Sequence, residues 1–351
     1  MLNVQRLVWC MHRLLARRRP ALEEVASDSW EICPEEKASC QRAIFLEGSL
    51  DKITAYSPWT TAEAERSRVL GGQITHASTR AHLLRNATIG GAWIYCGAYK
   101  AKHGHGSERP FRLPKSKRPR LGCVHLVSNW PGSNFFGNFL MDDLPLALVP
   151  DANSDPIVLK TKAYEHEGGY RKIFGLKRPP VLHDGQVNEL IVYSDFAQNT
   201  SKALRYTELR TRLREALGST SSTCSRNIYL KRGTTGERRL VANEEALEAH
   251  LVSLGFEIVE PTTLSAAEVS RLTLDARLVI SVEGSHLSHV IYSMADSAAF
   301  LILEPPDRFA TPYKDFADRM GMRFAFLVGD PASDGFSVDL DDLDRLLDRL
   351  G

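Results

Sequence analysis

The chain has 351 residues, of which 43% are hydrophobic and 25% are charged, a composition that predicts a soluble globular protein of about two domains. Its 44 lysine and arginine residues nearly balance its 43 aspartate and glutamate residues, which argues against a dedicated nucleic-acid-binding protein. The six cysteines are scattered without a CxxC pair, which predicts reduced thiols and a cytoplasmic location, and no apolar run reaches the roughly 18 residues of a membrane span.

Residues 1–20 predict a separate basic amphipathic helix. No small-residue cleavage site follows its apolar part, so we do not expect a secretory signal. Such a helix lies on the anionic inner face of a membrane or docks on its own protein, and both alternatives stay open for residues 1–19. The apolar face carries Val4, Leu7, Val8, Met11, Leu14 and Leu15, and the charge comes from Arg6, Arg13, Arg17, Arg18 and Arg19.

The first half of the chain, residues 21–197, predicts short strands at 44–46, 53–56, 87–89, Trp93–Cys96, 122–127, 157–159 and 190–193. His103 and His105 lie in a polar stretch without acidic or cysteine neighbours at ligand spacing, which favours a loop over a metal site. A helix from residue 199 and a Ser/Thr-rich linker, together 198–222, predict the domain boundary.

The stretch 129–145 brings a carboxylate next to a turn-rich loop. The loop NWPGSNFFGN runs into FLMDDLP, and a helix through 138–144 would put Asn138 and Asp142 on one face, one turn apart. A carboxylate in such a position can act as a general base. The alternative is a solvated helix start in which Asp142 and Asp143 are only exposed.

The second half, residues 223–351, alternates strands with helices and therefore predicts a parallel sheet with right-handed crossovers. Asn243 is expected to cap one helix, and Ser265 with Glu268 forms a capping box for the next. Ligands of such sheets bind at the carboxyl ends of the strands. Lys231, Arg232, Glu283, Gly284 and Glu304 all fall at these ends.

The glycine turn 282–286 follows a buried strand and precedes apolar residues at helical spacing. A strand, a glycine turn and a helix start attract an anion such as a diphosphate, and arginine can hold phosphate oxygens without a metal. The alternative is that Lys231, Arg232, Arg238 and Arg239 form a solvated loop. Dinucleotide and P-loop signatures are absent from the sequence.

In this order and spacing, the residues resemble glycosyltransferase family 61, in the branch that builds bacterial capsular polysaccharide and exopolysaccharide. NFLMDDLP at 138–145 is similar to a family segment in which histidine is common at the position of Asn138. Glu283 and His289 also depart from the commoner pattern. The resemblance rests on Arg226, Tyr229, Arg232, Arg239, Asn243, Glu244, Gly255, Phe256, Gly284, Leu287 and Tyr292.

The resemblance implies an α/β, GT-B-like fold with two Rossmann-type domains facing a cleft. It implies inverting transfer from a nucleotide-sugar, with uridine favoured, to a glycan or lipid-linked glycan acceptor of capsule, exopolysaccharide or lipopolysaccharide synthesis. No essential metal and no other cofactor are expected. The alternative is a non-catalytic nucleotide-sugar or glycan-binding protein that retains the fold.

Each candidate residue has an expected role. Asp142 is the expected base, and Asp143 is its replacement if Asp142 does not serve. Asn134 and Asn138 are expected on the acceptor side. The expected donor-binding residues are Lys231, Arg232, Arg239, Asn243, Glu244, Glu283, Gly284, Ser285, His286 and Glu304. Glu304 would hold the ribose hydroxyls or cap the loop after its strand.

Overall fold

The computed structural model describes residues 9–11, 18–107, 119–149, 154–218, 226–233 and 239–351. Most of the predicted N-terminal helix and of the linker at 218–222 therefore lies outside the described residues. The chain forms two compact units, one from Met1–Glu36 with Ala77–Tyr206 and one from Lys37–His76 with Thr207–Gly351.

This division differs from the expected domains 21–197 and 223–351. Residues 37–76 belong to the second unit because Ile44 forms a parallel bridge to Ala325, next to the edge of that unit's sheet. The predicted strands at 44–46 and 53–56 are only isolated bridges, the second of them from Tyr56 to Phe309. The boundary near Tyr206 falls inside a helix rather than in the linker.

The first unit is built on a seven-stranded sheet with the order β6-β5-β4-β9-β7-β8, in which β1 also pairs with β4. Its core is formed by the apolar faces of β4, β7 and β9. The strands are β1 (Asp28–Cys33), β4 (Thr79–Gly90), β5 (Trp93–Cys96), β6 (Tyr99–Lys102), β7 (Arg120–Leu126), β8 (Asp155–Ile157) and β9 (Asp184–Ser194). The helices are α1 (Leu22–Val25), α3 (Trp130–Asn134), α4 (Phe136–Asn138), a π-helical turn (Phe139–Asp143), α5 (Leu144–Leu146), α6 (Glu167–Ile173) and the start of α7 (Thr200–Leu217).

This sheet is mixed, so the expectation of a Rossmann-type first domain is wrong. Only the β7–β8 and β7–β9 pairs are parallel, and the remaining pairs are antiparallel. Two residues connect β4 to β5 and two connect β5 to β6, and each connection contains a glycine with positive φ, Gly91 or Gly97. Connections this short can join only antiparallel neighbours, whereas a parallel pair needs a crossover of a dozen or more residues.

The second unit contains the predicted parallel sheet, in the order β11-β10-β12-β13-β14. The apolar strands pack against α8 and α11 in one continuous core. The strands are β10 (Arg226–Leu230), β11 (Glu257–Val259), β12 (Ala276–Val282), β13 (Ala299–Glu304) and β14 (Arg323–Val328), with the small pairs β2 (Glu36–Cys40)–β3 (Gly72–His76) and β15 (Asp330–Ala332)–β16 (Gly335–Ser337). The helices are α2 (Ala62–Leu70), the end of α7, α8 (Glu244–Ser253), α9 (Ala266–Leu272), α10 (Pro312–Arg319) and α11 (Leu340–Leu350).

The strand order of this sheet reverses between β10 and β12. From β10 the chain first adds β11 on one side and then crosses to add β12, β13 and β14 on the other. In open α/β sheets the crevice at such a switch point, outside the carboxyl ends of the two strands, is the usual ligand site. Arg232 follows β10 and Glu283 follows β12, so both lie at this point.

The predicted helix after the glycine turn is a five-residue 3₁₀-helix, Ser285–His289, followed by turns. The helix-dipole argument for anion binding therefore does not apply here, and the charged side chains of the turn must provide any attraction. Among the described residues, no helix has the length and apolar character needed to cross a membrane.

Candidate active site

Two arginines converge on one carbonyl group at the carboxyl ends of β10 and β12. Arg232 Nη1 donates to the Glu283 carbonyl oxygen at 2.7 Å, and Arg239 Nη1 donates to the same oxygen at 2.8 Å. Arg239 also forms a buried ion pair with the Glu283 carboxylate. Burial raises the pKa of Glu283, and both arginines oppose this shift. The predicted neighbours at the strand ends are thus in contact, with two cations around one carboxylate, whereas Arg238 lies outside the described residues.

Gly284 leaves the space that the Arg232 guanidinium fills. A Cβ atom on residue 284 would lie 1.7 Å from Arg232 Nη1 and 2.9 Å from its Cζ. Contacts this short cannot exist, so any other residue here would displace the guanidinium. The glycine is therefore required by the close approach of the arginine to the turn.

His286 is held in one tautomer by a short hydrogen-bond chain. Ser281 Oγ donates to the Leu230 carbonyl oxygen at 2.6 Å and lies 2.7 Å from His286 Nε2. Because the hydroxyl has only one proton, this geometry assigns the Nε2 proton to the histidine and leaves Nδ1 as an acceptor. Burial and the nearby Arg232 lower the pKa of His286 well below its usual value, so the ring is neutral at physiological pH.

Glu304, at the end of β13, is fully buried. Its Oε2 accepts a hydrogen bond from Ala310 N at 3.4 Å, so it caps the following loop, and its Oε1 has no hydrogen-bond partner among the described residues. Burial and the Glu283 carboxylate raise its pKa well above the usual value. A protonated Glu304 can donate a hydrogen bond.

The other predicted donor residues are bonded within the second unit. Lys231 Nζ lies 2.5 Å from Glu248 Oε1 on α8, and Glu244 accepts from the Tyr229 hydroxyl at 3.1 Å. Asn243 Oδ1 accepts from Val338 N at 2.9 Å, and its Nδ2 donates to the Val338 carbonyl oxygen at 2.8 Å. Contrary to the expectation, its side chain therefore does not cap α8. Ser285 is exposed on the turn. Among the predicted donor residues that the structure describes, Arg232, Arg239, Glu283 and Gly284 form a contacting cluster, and His286 lies two residues further along the same turn.

In the first unit, Asn138 and Asp142 are in contact as predicted. Asn138 Nδ2 donates to Asp142 Oδ2 at 2.9 Å. Asp142 lies in the π-helical turn Phe139–Asp143, a distortion that is frequent at functional sites. Its side chain is 9% exposed, so it is not the solvated acid of the alternative hypothesis.

Residues 136–301 match the family model of Glycosyltransferase 61. The match covers a little under half of the chain and supports a relationship to that family. The protein is a glycosyltransferase, and the predicted enzyme class is confirmed. The matched segment contains Asp142, Arg232 and Gly284, which lie in the two sites described above. No curated protein matches the chain.

The glycosyltransferase has one central residue that sequence reasoning missed. Lys202, on α7, is fully buried, and its Nζ lies 2.5 Å from Asp142 Oδ1 and 3.0 Å from the Asp195 carbonyl oxygen. Burial alone would lower the pKa of Lys202, but the Asp142 carboxylate raises it above its usual value. The lysine therefore stays charged, and it holds the Asp142 carboxylate in place through a buried ion pair. A lysine in an otherwise ordinary polar helix carries no sequence signal for this contact.

Asp143 points to a different environment than Asp142. Its Oδ1 accepts from the Asn129 backbone N at 2.9 Å, and its carboxyl group occupies the space that a Cβ of Gly132 would need. Burial raises its pKa well above the usual value. Asp143 of the glycosyltransferase thus fixes the 129–132 loop in place.

The remaining first-unit candidates also belong to this loop. Asn134 Nδ2 donates to the Trp130 carbonyl oxygen at 2.7 Å, and its Oδ1 lies 2.8 Å from His105 Nδ1. His103 is near the Tyr99 hydroxyl, at 3.5 Å. Across the described ranges, no group of three histidine, cysteine, aspartate or glutamate residues could hold a metal ion.

Proposed function

We propose that the protein is an inverting glycosyltransferase that moves a sugar from a uridine nucleotide-sugar to a glycan or lipid-linked glycan in capsule, exopolysaccharide or lipopolysaccharide synthesis. The proposal assigns donor binding to residues of the second unit and acceptor binding to residues of the first. The observation that carries it is the paired arginine cluster at the switch point between β10 and β12.

The charges and shape of this cluster suit a nucleoside diphosphate. Arg232 and Arg239 are fixed on the Glu283 carbonyl group, so their orientation is set before a ligand arrives. An arginine presents five N–H donors in a rigid fork that matches phosphate oxygens. The two guanidinium groups outnumber the one Glu283 carboxylate, so the cluster has a net positive charge. This charge would stabilise the departing diphosphate without a metal. Gly284 provides the room that the Arg232 guanidinium needs beside the turn.

Asp142 is the proposed base for the acceptor. When the acceptor hydroxyl attacks the anomeric carbon, its oxygen forms the new glycosidic bond and its proton passes to the Asp142 carboxylate. The bond between the anomeric carbon and the diphosphate oxygen breaks, and its electron pair leaves with the nucleoside diphosphate. Lys202 binds one oxygen of the Asp142 carboxylate, and Asn138 binds the other. Asp143 acts as a positioning residue under the loop.

The donor site is tested by calorimetry of UDP binding to the full-length protein. Arg232→Ala is expected to weaken binding about ten- to hundredfold, because a charge-assisted hydrogen bond contributes roughly 1.5–3 kcal/mol. Arg226→Ala is the matched control, since it removes an arginine from the opposite end of β10, where the side chain is 43% exposed. Equal UDP affinity in wild-type protein and Arg232→Ala would refute the donor site.

The base is tested by turnover with the same donor. Asp142→Asn is expected to reduce the transfer rate about 10²- to 10⁴-fold, the contribution of a general base, with little change in UDP affinity. Asp143→Asn is the matched control because its carboxyl group already carries a raised pKa and a neutral amide resembles the protonated acid. Thermal unfolding of both variants shows that the assay temperature leaves them folded. Near-normal turnover of Asp142→Asn would remove it from the mechanism.

We further propose that residues 1–19 bring the enzyme to the anionic inner face of a membrane. Their apolar face and five arginines support this. A lipid-linked acceptor would be available at that surface. The proposed location is otherwise the cytoplasm, in keeping with scattered cysteines that include free Cys33, Cys40 and Cys96.

A further inference from the structure

We propose that a pocket in the first unit binds one pyranose ring of the acceptor glycan, with Trp130 and Phe196 as its aromatic walls. This inference rests on the proposed function, because it assigns the acceptor-binding subsite of the same enzyme. The pocket lies apart from the residues that sequence analysis assigned to the acceptor side, Asn134 and Asn138, neither of which lines it.

The pocket lies where three strands of the first sheet end. It has a volume of about 200 Å³, a size suited to a single sugar ring. β7 and β9 are adjacent parallel strands, so their carboxyl ends share one edge of the sheet, where ligands of α/β proteins bind. Its lining includes Lys102, Asn129, Trp130, Asp195 and Phe196.

The two aromatic walls are unusually exposed for side chains of their size. Trp130 is 40% exposed and Phe196 is 61% exposed. The electron-rich face of an aromatic ring attracts the polarised C–H groups on the flat face of a pyranose. Asn134 donates to the Trp130 carbonyl oxygen and so holds its backbone, while the Phe135 ring packs edge-on against the indole with the ring centroids 5.8 Å apart. A fixed aromatic surface at a pocket indicates a binding site.

Two nitrogen groups in the lining have hydrogen-bonding capacity left for a ligand. The Asn129 backbone N donates to Asp143 Oδ1, and its side-chain Oδ1 accepts from Gly132 N. Within the described part of the chain, its Nδ2 has no partner. The Lys102 ammonium lies 6.0 Å from the Trp130 ring centroid and pairs with no carboxylate of the described residues. Both groups can donate to sugar hydroxyl or carboxylate oxygens.

The pocket is connected to the proposed base through its own lining. The Asp195 carbonyl oxygen accepts from Lys202 Nζ, which in turn holds Asp142. On the other side, Asn129 is bonded to Asp143, the neighbour of Asp142 in the π-helical turn. A sugar in the pocket would therefore contact residues that bond directly to the machinery around Asp142, as an acceptor sugar must.

The test measures sugar binding to the full-length protein without any donor. The probes are the α- and β-methyl glycosides of glucose, galactose, rhamnose, N-acetylglucosamine and glucuronic acid, followed by saturation-transfer NMR and by titration of tryptophan fluorescence. We expect saturable binding of at least one glycoside, weakened at least about tenfold by Trp130→Ala and by Phe196→Ala, since each removes an aromatic face. Trp59→Ala is the matched control, because Trp59 is 54% exposed and lies in the second unit.

The outcomes separate this inference from the proposed function. Binding lost in Trp130→Ala and kept in Trp59→Ala, with both variants unfolding at the wild-type temperature, supports the pocket. No saturable binding of any glycoside, or binding that survives both pocket substitutions, overturns it. Failure of the pocket with intact UDP binding and its Arg232 dependence would leave the donor site standing. Failure of UDP binding would instead refute the proposed function.

Discussion

Replacement of Lys202 by methionine is the sharpest test of the buried pair in the first unit. Methionine fills a similar volume without the charge. Of the hydrogen-bond partners that Asp142 has among the described residues, the change leaves Asn138 alone. Removing one partner of a buried ion pair destabilises a protein by about 3–5 kcal/mol. The total free energy of unfolding of a domain is only about 5–15 kcal/mol. We therefore expect a large fraction of the first unit's stability to be lost.

In thermal unfolding this loss corresponds to a drop of roughly 6–20 °C, at about 2–4 °C per kcal/mol for a domain of about 150–250 residues.

A double-mutant cycle separates the pair from general damage to the core. Asp142→Asn in the Lys202→Met background removes both charges and should be less destabilising than the sum of the two single changes, because neither variant charge is left alone. Urea denaturation followed by circular dichroism measures each free energy of unfolding. Single changes that add within about 0.5 kcal/mol would mean that the two residues do not interact energetically, and the assignment of Lys202 as the residue that holds Asp142 would be wrong.

Three further predictions concern pH, metal and membrane. Burial lowers the pKa of His103 to about 4, so the histidine of the unfolded chain is protonated first as the pH falls. The protein should therefore lose about 2 kcal/mol of stability between pH 7 and pH 5. His103→Leu should remove this part of the pH dependence of the free energy of unfolding measured by urea denaturation, and an unchanged pH dependence would contradict the prediction. Turnover should survive EDTA, because Arg232 and its neighbours take the role of a metal; activity lost on chelation and restored by manganese or magnesium would overturn this. Removal of residues 1–19 should abolish flotation with anionic liposomes, whereas equal flotation of truncated and full-length protein would show that the segment docks elsewhere.

The second unit could be predicted from sequence because its signals are local. The alternation of β10 to β14 with helices, and the Ser265 capping box, depend on residues within one element, and the structure has them where the pattern indicated. The contact between Asn138 and Asp142 was also predictable, since helical geometry brings residues four apart onto one face. Because β10 and β12 are parallel neighbours, the residues that follow their carboxyl ends, Arg232 and Glu283, lie at the same edge of the sheet.

Some local signals were ambiguous. Residues 290–294 are buried on every side, with Val290, Ile291, Tyr292 and Met294 fully buried. Apolar spacing cannot separate a helix from compact turns when no side faces water, so the 3₁₀-helix and turns could not be recognised. In the first half, hydrophobic runs indicated strands but not their direction, which the two tight glycine turns set.

Only the tertiary structure decided the contacts between residues that are far apart in the chain. Lys202 meets Asp142 across 60 residues, and Asn243 meets Val338 across 95. Residues 37–76 join the second unit through a bridge at Ile44. Each of these contacts depends on how whole elements pack. From the sequence alone, Lys202 is an ordinary lysine, Asn243 is a helix cap and residues 37–76 fall in the first expected domain. The sequence alone therefore determined the parallel sheet and its charged ends, while packing determined which carboxylate pairs with a buried lysine and which candidates are bonded elsewhere.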